Sequence, residues 1–215
     1  PPVHGIKSTV IADPLKFRSV SALENLRKKP HSLIDVSDRN FVGVDAVKPM
    51  TESEIDMVML TSPPGFRPLH FETDVKAGKH VFMEKPVATD APGVRRVLAA
   101  NKLAKEKKLC VAVGLQRRHE SGYQATIKKL QEGAIGDIIL TRAYWTGGGV
   151  WTRERKPEQT ELEYQMNNWY YFNWLSGDHI CEQHIHNLDV INWLMNGPPE
   201  TAQGQGGRQV RIGPD

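Results

Sequence analysis

The chain has 215 residues, of which 39% are hydrophobic and 25% charged, a composition typical of a globular protein with one large domain or two small ones. The formal net charge is +3, and the Lys and Arg residues follow no RNP-like or zinc-finger pattern, so we do not expect nucleic-acid binding. The apolar runs are far shorter than the roughly 18 residues that a membrane span needs, and no signal peptide is visible. The compartment stays open, with a soluble cytoplasmic protein favoured over a periplasmic one.

Strands and helices alternate through the first half of the sequence. The predicted strands are residues 8–12, 55–60, 80–83 and 109–115, and the predicted helices are residues 19–28, 68–77 and 91–107. The run 55–60 (IDMVML) is almost continuously apolar, which is typical of a strand covered on both faces. This alternation predicts a parallel sheet with helices on both of its faces.

Polar residues and prolines collect directly after the predicted strands. They are Asp13, residues 61–64 (TSPP), residues 84–86 (EKP) and residues 116–118 (QRR). In parallel α/β sheets, ligands bind at the carboxyl ends of the strands. The sequence therefore predicts a ligand site at this edge of the sheet.

The pattern changes after residue 120. We predict a helix over residues 123–132, a strand over 137–145, a loop with little regular structure over 147–173, a helix over 179–194 and a strand over 201–212. Such strands do not make a sheet by themselves, so this part depends on partners outside the chain. The predicted domains are residues 1–115 and 116–215.

The helix predicted over residues 179–194 carries four ionisable residues at spacings of three, four and three, namely His179, Glu182, His186 and Asp189. Residues three and four apart share a face of a helix, so these side chains are expected to form one stripe. An apolar stripe lies beside it, formed by Ile185, Leu188 and Ile191. A helix of this kind packs into a core, and ionisable groups beside a core have shifted pKa values, as catalytic groups often do.

Three motifs resemble the glucose–fructose oxidoreductase/inositol dehydrogenase (Gfo/Idh/MocA) family. They are Thr61-Ser62-Pro63-Pro64 after one strand, Glu84-Lys85-Pro86 after a later strand, and Glu182-x-x-x-His186-x-x-Asp189 on a helix. The similarity extends over nearly the whole chain. It implies a Rossmann-like dinucleotide-binding domain, followed by an α/β domain with an open, mostly antiparallel sheet. The implied activity is hydride transfer between NAD or NADP and a sugar or cyclitol hydroxyl carbon, in a homo-oligomeric protein.

The resemblance also implies residue roles. Lys85 matches the family's catalytic lysine, His186 matches its histidine acid/base, and Glu182 stands where the family commonly has Asp. A neutral imidazole can accept the hydroxyl proton, and an ammonium group can stabilise the negative charge that develops on the oxygen. The implied cofactor-binding positions are Asp13, Thr61, Ser62, Pro63, His70, Glu84, Lys85, Gln116 and Arg117. The implied substrate-binding positions are Arg118, Asp189 and Trp169.

The cofactor is expected to be NAD rather than NADP. Asp13 follows a strand where the dinucleotide fold places a carboxylate on the ribose hydroxyls, and this charge would repel a 2′-phosphate, although Lys16 and Arg18 lie nearby. The sequence contains no G-x-G-x-x-G turn. We therefore expect residues 1–115 to form an incomplete Rossmann-like sheet without the first strand and the glycine-rich turn, and residues 116–215 to form part of the C-terminal domain. The chain is expected to be truncated at both ends and inactive by itself.

Three alternatives stay open. His179, Glu182 and His186 could together ligate a metal ion, although we predict none. The same side chains could serve a redox-neutral glycoside hydrolase that holds NAD. The fold also suits a non-catalytic sugar- or dinucleotide-binding regulator, against which the intact Lys85 and His186 argue.

Overall fold

The computed structural model describes residues 6–28 and 33–207. The chain divides into two compact units. The first joins the residues up to Leu115 with Trp145–Ile185, and the second joins Gln116–Tyr144 with the residues from His186 onward. Residues 145–185, which the sequence assigned to a second domain, thus lie in the same compact unit as the predicted dinucleotide-binding region.

The first unit alternates strands and helices up to residue 115. In chain order these are β1 (Ile11–Asp13), α1 (Lys16–Arg27), β2 (Asn40–Val42), α2 (Val47–Glu52), β3 (Met57–Leu60), a 3₁₀ turn (Pro64–Phe66), α3 (Arg67–Lys76), β4 (His80–Met83), α4 (Ala91–Glu106) and β5 (Val111–Val113). The described strands pair only in parallel: β1 pairs with β2, and β4 lies between β3 and β5. The predicted Rossmann-like α/β class is confirmed, and the predicted strands and helices of this half lie close to the observed ones.

Local signals set the ends of the central helices. Pro68 occupies the first turn of α3, where a missing N–H costs no helical hydrogen bond, and α3 ends before Gly78, whose φ of 78° is left-handed. Asp90 caps α4 by accepting a hydrogen bond from the backbone N–H of Gly93 at 2.7 Å. These boundaries place the segments after β3 and β4 at the edge of the sheet where the sequence predicted a ligand site.

The core of the first unit lies between the β3–β4–β5 sheet and the helices α3 and α4. Its buried members are Val58, Leu60, Phe71, Val75, Val81, Met83, Val97, Ala100 and Ala104. Met57 and Met59, which alternate with Val58 and Leu60 along β3, are 38% and 60% exposed. The prediction of a strand covered on both faces is therefore wrong. An apolar run did not reveal that only one side of β3 packs against helices.

Residues 145–185 contribute further helices to the first unit. These are α6 (Glu161–Asn167), a 3₁₀ turn (Trp169–Tyr171), α7 (Asn173–Ser176) and a π-helical turn (Ile180–His184). The prediction of little regular structure over 147–173 is wrong for its second half. A capping box starts α6: the backbone N–H of Thr160 donates to the Glu163 carboxylate at 2.8 Å, and the backbone N–H of Glu163 donates to the Thr160 hydroxyl at 3.3 Å.

The second unit contains a 3₁₀ turn (Gln116–His119), α5 (Ser121–Gln131) and nearly all of α8 (Ile185–Leu194). The predicted helix before Gly133 is confirmed. The strand predicted over 137–145 is wrong, since this segment pairs with none of the described strands and leaves Ile139 94% exposed. Residues 201–207 are not a strand either, and the rest of the strand predicted over 201–212 lies outside the described residues. Of the described helices, none has both the length and the apolar character that membrane crossing requires.

Candidate active site

A cavity of about 140 Å³ in the first unit collects most of the residues predicted to bind the cofactor. Its lining includes five of them, namely Asp13, Thr61, Ser62, Pro63 and His70. Asp13 ends β1, and residues 61–63 follow β3, so the carboxyl ends of two strands contribute to one cavity. Burial raises the pKa of Asp13. A hydrogen bond from the backbone N–H of Leu15 at 2.7 Å and the charge of Arg18 oppose this rise.

The α6 region forms another part of the cavity wall. Met166 and Trp169 line the cavity together with the strand-end residues. Arg18 of α1 holds this region in place, because its Nη2 donates to Asn167 Oδ1 at 2.9 Å and to the Asn167 carbonyl at 3.2 Å. Trp169, predicted to contact a sugar, thus lies among the residues predicted to contact the cofactor.

His70 lies half-buried in this cavity wall. Its Nδ1 lies 3.2 Å from the Ser62 hydroxyl, and its ring stacks on Phe66 with centroids 5.9 Å apart. Burial, reinforced by the positive charge of Arg67, lowers the pKa of His70 to about 4. His70 is therefore uncharged at neutral pH and acts as a hydrogen-bonding and stacking group.

Lys85 and Glu182, which are 97 residues apart in sequence, form a buried ion pair. Lys85 follows β4, and its Nζ lies 2.9 Å from Glu182 Oε1, with the side chains 11% and 8% exposed. The same Nζ also donates to the backbone carbonyl of Glu182. Burial raises the pKa of Glu182, while Lys85 and Arg67 oppose that rise. Glu182 Oε2 is buried without a hydrogen-bond partner among the described residues, so this carboxylate retains one acceptor.

The helix predicted over 179–194 is confirmed in its extent, since residues 178–194 are continuously helical, but residues 180–184 form a π-helical turn ahead of α8. Gly177 and Asp178 precede it with φ values of 76° and 66°, both in the left-handed region. Three of the four predicted stripe residues make contacts that differ from one another. Glu182 pairs with Lys85 in the first unit, the exposed His179 makes an edge contact with His184, and Asp189 pairs within the second unit. The predicted packing of the apolar stripe is wrong, since α8 has no buried residue and Leu188 is 40% exposed.

Glu84 lies between the carboxyl ends of β4 and β5. Its carboxylate covers Gly114 so closely that a Cβ atom at that position would collide with it. The backbone N–H of Glu84 also donates to the Leu60 carbonyl at 3.0 Å, which ties it to the end of β3. Glu84, predicted to contact the cofactor, is thus fixed at the same edge as Lys85.

Sequence reasoning missed Arg67, the first residue of α3. Only 2% of Arg67 is exposed, and its guanidinium donates to the carbonyl oxygens of Ser62 and Pro86. Burial lowers the pKa of Arg67 to about 10, although the negative charges of Glu182 and Glu84 oppose this fall. The signal was present in the sequence, because residues 67, 71, 74 and 75 follow the spacing of one helix face and all are buried.

The remaining predicted site residues belong to the second unit. Arg118 and Asp189 form a two-pronged contact with N–O distances of 2.8–3.1 Å, and Arg118 also lies over the Trp193 ring at 5.3 Å. Arg117 donates to the Asn187 side chain. His186 lies half-buried in α8, and Gln116 is exposed in the 3₁₀ turn. No group of three or more His, Cys, Asp or Glu side chains suited to a metal ion occurs within residues 6–28 and 33–207.

Comparison with known proteins identifies two family matches and several relatives. Residues 7–115 match an oxidoreductase family with an NAD-binding Rossmann fold, and residues 123–215 match the GFO/IDH/MocA C-terminal domain. The inositol 2-dehydrogenase of Gluconacetobacter diazotrophicus is 31% identical over 150 residues, which cover 70% of this chain and 38% of that protein. The inositol 2-dehydrogenase of Klebsiella pneumoniae is 30% identical over 165 residues, which cover 75% and 42%. The chain thus spans about two fifths of the length of these curated relatives.

Solved structures share the fold. The WlbA dehydrogenase from Bordetella pertussis, in complex with NADH and UDP-GlcNAcA, matches with a TM-score of 0.62 at 22% identity, over 89% of this chain and 48% of that one. The myo-inositol 2-dehydrogenase from Lactobacillus plantarum matches with a TM-score of 0.60 at 18% identity, over 90% and 50%. The resemblance carried by the three sequence motifs is confirmed, since the two family matches cover most of the chain: it belongs to the Gfo/Idh/MocA family of NAD-binding Rossmann-fold oxidoreductases.

Proposed function

We propose that the protein containing these 215 residues is an NAD(P)-dependent oxidoreductase that transfers a hydride between nicotinamide and a hydroxyl-bearing carbon of a sugar or cyclitol. The observation that carries the proposal is the buried Lys85–Glu182 ion pair directly after β4, in a chain of an oxidoreductase family. The two relatives named above are inositol 2-dehydrogenases, which supports a cyclitol or a similar polyol as the substrate.

The residues of the cavity suit part of a dinucleotide. A volume of about 140 Å³ is close to the ~150 Å³ of a cavity that admits benzene, so it has room for one planar ring system rather than for a whole cofactor. Asp13 supplies a half-buried carboxylate at a strand end, and Thr61 and Ser62 supply polar groups beside it. These three residues would hold the adenosine part, with the charge of Asp13 favouring NAD over NADP.

The bound cofactor would supply the hydride chemistry, and the side chains would handle orientation, charge and the proton. The Lys85 ammonium would donate a hydrogen bond to the substrate oxygen and stabilise its developing negative charge. Glu182 would hold Lys85 in place, and its unpartnered Oε2 could accept a hydrogen bond from a neighbouring substrate hydroxyl. The His186 imidazole would accept the hydroxyl proton during oxidation and return it during reduction.

The test measures both turnover and binding with the whole protein that contains these 215 residues, since the proposal concerns that protein. We expect NADH to form with at least one member of a panel of inositols and aldoses, and NADH to bind with a change in tryptophan fluorescence. Lys85→Met and His186→Asn should each lower kcat by about 10²–10⁴-fold. Lys76→Met is the matched control, because Lys76 is 64% exposed and pairs with Glu72 on the surface of α3.

Each outcome has a defined meaning. Unchanged turnover in Lys85→Met would overturn the proposed chemistry. Cleavage of a glycoside without net formation of NADH would favour the redox-neutral alternative. Dinucleotide or sugar binding without any turnover in the wild-type protein would favour the regulator.

A further inference from the structure

Arg67 carries a buried positive charge that the proposed chemistry does not use. It begins α3, is 2% exposed, and forms no ion pair within 4.0 Å among the described residues. A buried charge without such a partner is costly, since burial in a medium of low dielectric disfavours ionisation. The surrounding structure therefore has to hold this guanidinium in place through other interactions.

Those interactions are with the two segments that carry the candidate site. One arm of the guanidinium, Nη2, donates to the carbonyl of Ser62 after β3, and the other arm, Nη1, donates to the carbonyl of Pro86 after β4. Ser62 lines the cavity, and Pro86 directly follows Lys85. One carbonyl thus belongs to a predicted cofactor-binding residue and the other to the residue that follows the predicted catalytic lysine, and one planar group joins them.

The guanidinium also faces acidic groups that it does not touch. Glu182 and Glu84 are the two carboxylates that stabilise its charge most strongly, and the Arg67 charge in turn lowers the pKa of Glu182. The ionisable groups around Glu182 are Lys85, Arg67, Glu84, Cys181 and Tyr170. Of these, Lys85 and Arg67 are the two cations.

We propose that Arg67 is a positioning residue for the reaction: it ties the segment after β3 to the segment after β4, and it supplies a second positive charge facing the Lys85–Glu182 pair. The inference rests on the proposed function, because it assigns Arg67 the task of holding the catalytic Lys85. The main chain of Pro86 is fixed by Arg67, and the Lys85 side chain is fixed by Glu182, so Lys85 is restrained from both ends. A displacement of about 1 Å at such a residue can lower a rate about a hundredfold.

Arginine suits this position better than lysine. Its planar fork presents two N–H-bearing arms in a fixed geometry, so it can reach both carbonyls at once, whereas a lysine ammonium is a single point on a flexible stem. The Arg67→Lys variant therefore keeps the charge and loses the two-pronged contact. The Arg67→Met variant loses both. The pair separates the electrostatic role from the positioning role.

The first measurement follows the Glu182 carboxyl by ¹³C NMR as a function of pH, with its signal assigned by Glu182→Gln. We expect Arg67→Met to shift the Glu182 titration midpoint upward, and Arg67→Lys to shift it by less, because only the methionine variant removes a cation. Arg96→Met is the matched control, since Arg96 pairs with Glu72 on the surface and should leave the midpoint unchanged. An unchanged midpoint in Arg67→Met would overturn the electrostatic part of the proposal.

The second measurement is steady-state turnover. We expect Arg67→Lys to lower kcat by about ten- to a hundredfold while KM changes little, because the proposed displacement affects the reacting lysine rather than substrate affinity. If Arg67→Met does not fold, Arg67→Lys alone decides. A kcat equal to that of the wild-type protein in a folded Arg67→Lys variant would overturn the positioning role.

The two proposals fail in different ways. The NMR titration needs neither cofactor nor substrate, so its result is independent of the proposed activity. If Lys85→Met leaves turnover unchanged, the proposed function fails, whatever the Glu182 titration shows. If Lys85→Met abolishes turnover while the Arg67 variants change neither the midpoint nor kcat, the role of Arg67 fails and the proposed function stands.

Discussion

Replacing Lys85 by methionine tests the energetics of the candidate site directly. Lys85 Nζ lies 2.9 Å from Glu182 Oε1, and both side chains are at least 89% buried. Methionine has a similar length and no charge, so the Glu182 carboxylate would remain buried without its hydrogen-bonded cation. Removing one partner of a buried ion pair costs about 3–5 kcal/mol. We expect Lys85→Met to lower the free energy of unfolding of the first unit by this amount at neutral pH.

The loss should depend on pH in a defined direction. The pKa of Glu182 is already raised in the folded state, and Lys85 is one of the groups that oppose the rise, so its removal raises this pKa further. A carboxyl group with a raised folded-state pKa destabilises the fold when it is ionised, and this effect is relieved as the pH falls through that pKa. The penalty of Lys85→Met should therefore be larger at neutral pH and should shrink as the pH falls toward about 4.3, the ordinary pKa of an unfolded Glu.

Urea unfolding followed by tryptophan fluorescence measures the effect, because four of the five tryptophans lie in the first unit. Lys85→Met, Glu182→Gln and the double variant complete a cycle that isolates the coupling between the two side chains. The double variant should regain most of the lost stability, and it keeps the test meaningful if Lys85→Met does not fold. Equal losses in Lys85→Met and the double variant at both pH values would refute the ion-pair reasoning.

Three further substitutions test other parts of the structure. Gly65→Ala should lower the free energy of unfolding by about 1–3 kcal/mol, because the new Cβ would collide with the backbone of α7. Gly148 has open space around it, so Gly148→Ala is the control and should change this free energy little in the same urea experiment. Asp189→Asn should lower the free energy of local opening of α8 by about 1 kcal/mol, a modest loss because the Arg118 partner is 39% exposed. Amide hydrogen exchange of α8 measures this free energy, and unchanged exchange would contradict the role of the pair. His70→Gln should abolish a pH-dependent loss of stability. As the pH falls from 6.5 to about 4, His70 of the unfolded wild-type chain binds a proton before His70 of the folded chain does. The wild-type protein therefore loses roughly 3 kcal/mol of unfolding free energy over this range. Unfolding curves across this pH range check the last prediction, and parallel curves for wild type and variant would contradict it.

Local signals made the first half of the fold predictable. The bounds of α3, α4 and β4 lie within a residue of the predicted ones. Gly78 marks the end of α3, and the capping residue Asp90 marks the start of α4. The alternation of strands and helices also predicted a ligand site at the carboxyl ends of the strands, and Asp13 and residues 61–63 do line one cavity.

Contacts over long sequence distances could not be predicted in this way. A spacing of three and four residues assumes a regular α-helix. The π-helical turn at 180–184 departs from that geometry at the point where Glu182 meets Lys85. The position of α6 depends on the contact between Arg18 and Asn167, which are 149 residues apart. The capping box of α6 was visible in the sequence as Thr160-x-x-Glu163, so its existence, though not its location, was open to prediction.

Glu182, which the resemblance places where the family commonly has Asp, holds Lys85 through two atoms in this structure. The π-helical turn brings the backbone carbonyl of Glu182 to Lys85 Nζ, and the side chain returns to the same Nζ through Oε1. One residue thus gives the lysine two acceptors, and Oε2 is still available for a third donor. A shorter aspartate would keep the carbonyl contact, which belongs to the main chain, but its carboxylate would have to reach the lysine with one methylene fewer. The length of the side chain at 182 therefore decides whether Lys85 is held by a charge or by a carbonyl dipole alone.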